Sequence, residues 1–326
     1  MTRKLVSIVT GCYNEVENLP ELYDRIKDVM AKFPGLDWEL LVADNRSTDG
    51  TRELLRKMAN RDKRVKVVFN ARNFGHIRSP MNLFRQAEGD AVVTLCSDLQ
   101  DPPELIADMI REWEKGTKVV IAVRSNTECW RPMEWVRRAY YALLRKASPG
   151  EELVSGFTGY GLYDKQFMAA FRKFRDPYPY FRGMISEIGF DRVEIPFVQP
   201  KRKYGKTKNN FFTLYDMAMT GFVNHTRLPL RLATFAGFFL GAASLLIALG
   251  YLVAKLVWWD TCRLGLAPLV IGMFFLGAVQ LFFIGVIGEY LGAVWTQVKD
   301  RPLAIEEERL NFEPSEDAKD EKPRNA

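Results

Sequence analysis

Four short polar clusters hold the side chains best suited to chemistry: Tyr13-Asn14-Glu15, Asp44-Asn45, Arg72-Asn73 and Ser97-Asp98. Glu15 and Asp44 are carboxylates that can accept hydrogen bonds from a ribose or a base. Asp98 and Gln100 offer hard oxygen ligands of the kind that suit Mg2+ or Mn2+. A fifth cluster is cationic: residues 200–210 include Lys201, Arg202, Lys203, Lys206 and Lys208. That charge would neutralise several phosphates brought together, and it would equally serve as a strip against anionic lipid, at about 1 kcal/mol per basic residue. The chain has only two histidines, His76 and His225, so a Ser-His-Asp triad or a His-rich metal site lacks raw material. Its four cysteines, Cys12, Cys96, Cys129 and Cys262, stand far apart with no C-x-x-C pair, which argues against a disulfide framework or a structural zinc site. Carboxylates and basic residues must carry the chemistry.

Several of these groups have plainer readings. Asp49 with Gly50 reads as a cap on the helix that follows. Asp101, ahead of Pro102 and Glu104, reads as a helix N-cap with proline in the first turn. Asn73-Phe74-Gly75 offers a close backbone approach. Arg124, at the end of a strand, and Arg131 would either join a phosphate site or stand solvated.

The elements that must position these residues follow from hydrophobic pattern. Residues 5–10, 38–43, 65–69, 91–95 and 119–123 read as strands, and amphipathic stretches such as 19–33 and 52–59 fit helices between them. Apolar strands without clean alternation are covered on both faces, which predicts a doubly wound, mostly parallel sheet with crossover helices. In such sheets ligands bind beyond the carboxyl ends of the strands, where the polar clusters fall.

The 326 residues exceed the roughly 200 needed for one such domain. Residues 232–254 and 264–288 carry no charge, and each run reaches the roughly 20 residues that cross a bilayer. Lys255, Asp260 and Arg263 mark the turn between them. Arg227, Arg231, Lys299 and Arg301 flank the pair and place both ends in the cytoplasm. Residues 1–4 lead straight into a strand rather than a cleavable leader, which also predicts a cytoplasmic N-terminal part. Ahead of the spans, residues 210–226 place Phe211, Phe212, Leu214, Tyr215, Met217 and Phe222 around a polar face with Asp216 and Asn224. They read as an interfacial helix or as an amphipathic helix packed on the first domain. The tail from 306 is mainly charged and is expected to be disordered. The formal charge of +6 gathers near the apolar runs and their approaches, so membrane phosphate, not nucleic acid, is the expected partner.

Together, Tyr13-Asn14-Glu15, the run from Asp44 through Ser47 and Asp49 to Thr51, Arg72-Asn73-Phe74-Gly75 and Asp98-Leu99-Gln100-Asp101-Pro102-Pro103-Glu104 resemble the inverting GT-A glycosyltransferases. The two apolar runs narrow the resemblance to the polyprenyl-phosphate glycosyltransferases, over roughly residues 5–300. It implies a GT-A α/β domain over 1–208, an interfacial helix over 209–228, a hairpin over 229–298 with spans near 232–257 and 264–290, and a cytoplasmic tail over 299–326. By the same resemblance Glu15 and Asp44 hold the nucleoside, and Asp98 and Gln100 hold Mg2+ or Mn2+. Thr10, Tyr13, Asn14, Asn45 and Ser47 join the nucleotide-sugar site, as do Arg72, Asn73, Gly75, Ser97 and Arg124. Asp98, Arg202 and Lys208 are the expected catalytic groups. The implied reaction moves a hexose, UDP-glucose being the leading donor, to undecaprenyl or another polyprenyl phosphate with inversion. It would take place at the cytoplasmic face of the inner membrane, in a multi-pass protein that self-associates, as a tetramer by resemblance.

Three departures stand out. Cys96-Ser97-Asp98 replaces Asp-x-Asp, and Thr158-Gly159-Tyr160-Gly161-Leu162 replaces a Gly-Asp-Phe-Arg-Leu stretch. Gln199 replaces a basic residue, while Arg202, Gly205, Thr207 and Lys208 keep the Arg-x-x-Gly-x-Ser/Thr-Lys pattern. The first two motivate an alternative: a catalytically inactive nucleotide-sugar sensor or scaffold at the membrane.

Overall fold

The computed structural model describes residues 3–125, 154, 156–176, 179–200, 228–257, 266–299 and 301–312. Strands and helices alternate through the first half: β1 (Lys4–Cys12), α1 (Asn18–Met30), β2 (Leu36–Asp44), α2 (Thr51–Arg61), β3 (Val65–Asn70), α3 (Gly75–Gln86), β4 (Ala91–Thr94), α4 (Leu105–Glu114) and β5 (Val119–Arg124). After them come β6 (Phe157–Asp164), α5 (Lys165–Phe171), α6 (Phe181–Ile188), β7 (Arg192–Phe197), α7 (Leu228–Val257), α8 (Leu266–Val298) and β8 (Glu306–Leu310). Contacts divide the chain into two compact units, one holding the strands and the other α7 and α8.

The apolar strands are buried on both faces because their side chains alternate between two core layers. Ile8, Leu40, Val42 and Val67 join one layer with Leu22 of α1, Leu55 of α2 and Ile110 of α4. Val9, Leu41, Ala43 and Val68 join the other with Phe84 of α3, Phe171 of α5 and Met184 of α6. The helices match because their apolar residues recur at helical spacing, as Leu19, Leu22, Ile26 and Val29 do in α1.

The sheet has eight strands in the order β7-β5-β6-β4-β1-β2-β3-β8. Pairs β1–β2, β1–β4, β2–β3 and β5–β7 are parallel. Pairs β3–β8, β4–β6 and β5–β6 are antiparallel. The sheet expected to be mostly parallel is therefore mixed, because β6 and β8, which no apolar run announced, enter it in reverse. The chain winds outward from β1 through β2 and β3, then returns to place β4 on the other side of β1. The gap between the ends of β1 and β4 is the topological switch point where such sheets bind ligands.

Two expectations about the second half change. Residues 306–310 are not disordered: β8 pairs with β3 through Val67↔Leu310 and Phe69↔Glu308, and its acidic side chains meet arginines, Arg46 and Arg52 at Glu307 and Arg56 at Glu308. A charged composition fails to order a segment only when nothing complements it. Residues beyond 312 lie outside the described residues. Of the two expected spans, one helix qualifies among the described residues: Ile271–Val298, 28 residues with mean hydropathy 2.2 and no buried share. The apolar stretch found in α7, Leu232–Ile247, is shorter, although α7 itself runs unbroken for 30 residues. The expected interfacial helix over 209–228 lies largely outside the described residues.

Gly161 fixes how closely β6 approaches β5. A Cβ there would sit 2.7 Å from the backbone oxygen of Val120, and backbone cannot yield as a side-chain tip can. The Gly161→Ala variant should lose about 1–3 kcal/mol of stability, read as a lower denaturant midpoint by tryptophan fluorescence.

Candidate active site

Parallel register brings the polar clusters to one edge. Cys12 pairs with Asp44 and Asp44 with Phe69, while Val9 pairs with Thr94. The loops after β1, β2, β3 and β4 therefore leave the sheet side by side.

The first two loops are stitched together. Asn14, at a left-handed φ of 59°, accepts through Oδ1 from the Thr48 amide at 2.8 Å, while its own amide donates to Ser47 Oγ at 2.9 Å. The Glu15 amide donates to Thr51 Oγ1 at 3.0 Å, and Glu15 Oε2 accepts from Asn18 Nδ2 at 2.5 Å. Asp49 accepts from the Thr51 amide, the first of α2, at 3.0 Å, while the N-cap residue itself is Gly50 at a left-handed φ of 94°. Asp44 has no exposed surface. Its two oxygens accept from the Ser47 amide, each at 3.3 Å, and Oδ2 lies 3.6 Å from Arg52 Nε. Burial raises the Asp44 pKa, and the Ser47 donors and Arg52 pull against that rise. Arg52 was not foreseen. The signal was available in an arginine on the first turn of the helix that follows the carboxylate.

Asn45 locks the third loop onto the second. Its Nδ2 donates to Asn73 Oδ1 at 2.8 Å and Gly75 O at 3.1 Å, and its Oδ1 accepts from the Phe74 amide at 2.8 Å. Asn73 Oδ1 also accepts from the Gly75 amide at 2.8 Å, and Gly75 takes the left-handed φ of 87° that this turn needs. Arg72 lies over the Phe74 ring at 4.1 Å. Thr10 is buried, and its hydroxyl has no partner among the described residues. Tyr13, the first residue after β1, is half-buried.

The loop after β4 crosses the switch point. Ser97 Oγ donates to Gly11 O at 3.0 Å, tying it to the end of β1. Asp98 Oδ1 accepts from the Gln100 amide at 3.2 Å around Leu99, a buried leucine at φ 60°. The two expected metal ligands therefore share one tight turn. Asp101 does not cap α4, whose N-cap residue is Glu104. Instead its Oδ2 accepts from the Cys96 amide at 2.9 Å, and Thr158 Oγ1 lies 3.5 Å from its Oδ1. The carboxylate is needed inside the loop, so it is unavailable to the helix end. Burial raises its pKa, Asp98 adds to the rise and Arg124 opposes it. Cys96 is exposed and not in a disulfide. Arg124 donates to Gln199 Oε1 at 2.7 Å, so the glutamine that departs from the family pattern partners an expected phosphate ligand. Tyr160 is buried and donates its hydroxyl to Pro102 O at 2.6 Å, serving the Asp-Pro-Pro turn. Arg131, Arg202 and Lys208, with the rest of the basic loop, lie outside the described residues.

No group of three or more His, Cys, Asp or Glu that could hold a metal occurs among the described residues. Asp98 and Gln100 still fit a hard cation such as Mg2+, which takes few protein oxygens and completes its shell with phosphate and water.

A layered α/β sheet of this strand order places its candidate ligand site at the switch point between β1 and β4. Residues 7–183 match the model of glycosyl transferase family 2, and the chain belongs to that family; it is a glycosyltransferase with a GT-A type α/β sheet. The uncharacterized glycosyltransferase YkcC of Bacillus subtilis is 31% identical over 307 residues, 94% of each chain. The SfII prophage-derived bactoprenol glucosyl transferase of Shigella flexneri is 30% identical over 307 residues, 92% of this chain and 96% of that one. Among solved structures, the mannosyltransferase PcManGT of Pyrobaculum calidifontis, in complex with GDP-Man and Mn2+, is 17% identical over 92% of this chain and 88% of that one, at a TM-score of 0.46.

The Asn45 side chain is the joint between the loops after β2 and β3. Asn45→Ala strands the amide of Phe74 and removes the donor that Asn73 Oδ1 and Gly75 O share, and should cost about 1–3 kcal/mol. Thermal unfolding should show the loss, and limited proteolysis should show faster cleavage within residues 71–75.

Proposed function

We propose that the protein transfers a hexose from a nucleoside diphosphate sugar to a polyprenyl phosphate, with inversion, at the cytoplasmic face of the membrane. The observation that carries this reading is the path of the chain. It leaves the sheet after β7, runs through α7 and α8, and returns to the same sheet as β8. A chain that crosses a bilayer and comes back to one soluble sheet must cross an even number of times. If α8 spans, α7 is the second crossing, which supports the two-span hairpin and a multi-pass protein. Phe238, Phe239, Phe274 and Leu281 on these helices are exposed, as lipid-facing side chains would be. The likeness to a bactoprenol glucosyl transferase supports the lipid acceptor and favours UDP-glucose with undecaprenyl phosphate. Self-association, as a tetramer, belongs to the same proposal.

In this reading Glu15 and Asp44 receive the nucleoside, and Thr10, Tyr13 and Ser97 line its approach. The loops after β1, β2 and β3, which hold Asn14, Asn45 with Ser47, and Asn73 with Gly75, keep the site in shape, with Arg72 and Arg124 toward the phosphates. Asp98 and Gln100 hold Mg2+ or Mn2+, which when bound neutralises charge on the departing diphosphate. An oxygen of the lipid phosphate attacks the anomeric carbon, the bond to the diphosphate oxygen breaks, and the nucleoside diphosphate leaves. A phosphate monoester, with its second pKa near about 6, is already ionised and needs no strong base. That fits a β6 that carries Gly159 where the family pattern has its carboxylate. Arg202 and Lys208 neutralise the meeting phosphates, and the membrane anchor confines enzyme and acceptor to one surface.

The test offers the full-length protein labelled nucleotide sugars and polyprenyl phosphate, with and without Mg2+ or Mn2+, and counts lipid-extractable label. Asp98→Asn should remove transfer by at least about 100-fold while membrane insertion persists. Label transfer by the wild type that survives in Asp98→Asn would overturn the metal assignment, and binding of nucleotide sugar without transfer by the wild type would favour the sensor.

The raised Asp44 pKa gives a second expectation. A carboxylate that must be ionised to receive the nucleoside takes up its proton at a higher pH than an ordinary aspartate. Nucleotide affinity should therefore fall on acidification, beginning at a higher pH than for an ordinary aspartate. Titration of UDP binding against pH should show this slope, and Asp44→Asn should abolish it along with much of the affinity.

A further inference from the structure

Glu307 sits where β8 changes register. Phe69 pairs with Glu308 and Asn70 with Glu306, so Glu307 is the extra residue of a bulge. Bulges at sheet edges re-aim a side chain, and this one delivers a carboxylate toward the candidate site. Glu307 Oε2 accepts from Arg52 Nη2 at 2.7 Å and from Arg46 Nη1 at 3.0 Å. Arg46, itself at a left-handed φ of 67°, also donates to Ala71 O at 3.2 Å, in the loop that follows β3. Arg52 lies over the Phe69 ring at 4.9 Å and presents Nε to Asp44 at 3.6 Å.

A guanidinium beside a buried carboxylate would normally take both of its oxygens in a bidentate pair. Here Glu307 draws the far end of Arg52 away, and the remaining Arg52–Asp44 approach stays longer than a hydrogen bond. Asp44 keeps a nearby positive charge without being covered by it.

We infer that Glu307 is a positioning residue for the donor site: it keeps Arg52 from pairing fully with Asp44, so that this buried carboxylate retains accepting capacity for the nucleoside. The inference rests on the reading of Asp44 as the nucleoside acceptor. It makes the strand that follows the second apolar helix a working part of the donor site, although that strand contributes no group expected to touch substrate. When Glu307 is neutralised, Arg52 closes on Asp44 and competes with the nucleoside.

The test measures binding of UDP, GDP, CDP and dTDP to the full chain in detergent, together with donor and acceptor kinetics. Glu307→Gln should weaken binding of the preferred nucleoside diphosphate about three- to tenfold, the scale of a partly exposed ion pair set against a buried one. It should raise donor KM by the same factor and leave kcat and acceptor KM unchanged. Glu308→Gln, which frees Arg56 rather than Arg52, should loosen the strand without that shift. In an Arg52→Gln background, Glu307→Gln should cost nothing more, because the competitor is gone. Equal losses in the Glu307 and Glu308 variants, or an undiminished loss in the Arg52→Gln background, would reduce Glu307 to a structural role and overturn the inference. Failure of Asp44→Asn to weaken binding would instead overturn the reading of Asp44 beneath it, and a wild type that binds none of the four nucleotides would overturn both.

Discussion

Parallel register between β1 and its two neighbours is the constraint on which the rest of the site depends. With Cys12 beside Asp44 and Val9 beside Thr94, the strands end at one edge, and each loop leaves with its polar residues beside those of the next. No loop is long enough to find its partners by itself. Asn14 reaches Thr48, Asn45 reaches Asn73 and Ser97 reaches Gly11 only because the sheet has already set the spacing. The cores on the two faces hold that spacing, and apolar burial worth about 25 cal/mol per Å2 is spread over both of them.

Much of the polar sequence at the strand ends is consumed in building the crevice. Asn45 uses its oxygen and its nitrogen on the neighbouring loop, and Asp49 and Asp101 spend their carboxylates on backbone amides. This is how buried polar groups escape their desolvation cost. It also explains why residue type at a strand end does not by itself separate a ligand from a scaffold. Asp44 shows the intermediate case: it is fully buried, accepts from the Ser47 amide and from the Cys12 thiol at 4.0 Å, and has an arginine held at 3.6 Å.

The five apolar strands were legible because β-branched runs buried on both faces leave an unbroken signal, and the helices between them because their apolar residues recur at helical spacing. β6 was not, since Thr158-Gly159-Tyr160-Gly161 resembles a turn until the close approach to Val120 requires its glycine. β8 was read as disorder because its order comes from arginines more than 250 positions away: Arg52 is 255 residues from Glu307, and Arg56 252 from Glu308. Local composition carries no trace of such a pairing. The helix-cap reading of Asp101 erred for a related reason, since the backbone amide of Cys96 claims its carboxylate.

The turn carrying Asp98 and Gln100 shows how the fold sustains an unfavourable local geometry at the site. Leu99 occupies a left-handed conformation, which costs a residue with a Cβ about 1–2 kcal/mol. Glycine would remove that cost but would also leave the turn free to open. Leucine offsets it instead, because its side chain belongs to the core layer shared by α1 and α4, and burying a leucine contributes about 2 kcal/mol. The residue that strains the backbone is thus the one that anchors it. The turn between Asp98 and Gln100 is held by the same apolar core that sets the strand register, so that core fixes where the backbone presents both residues.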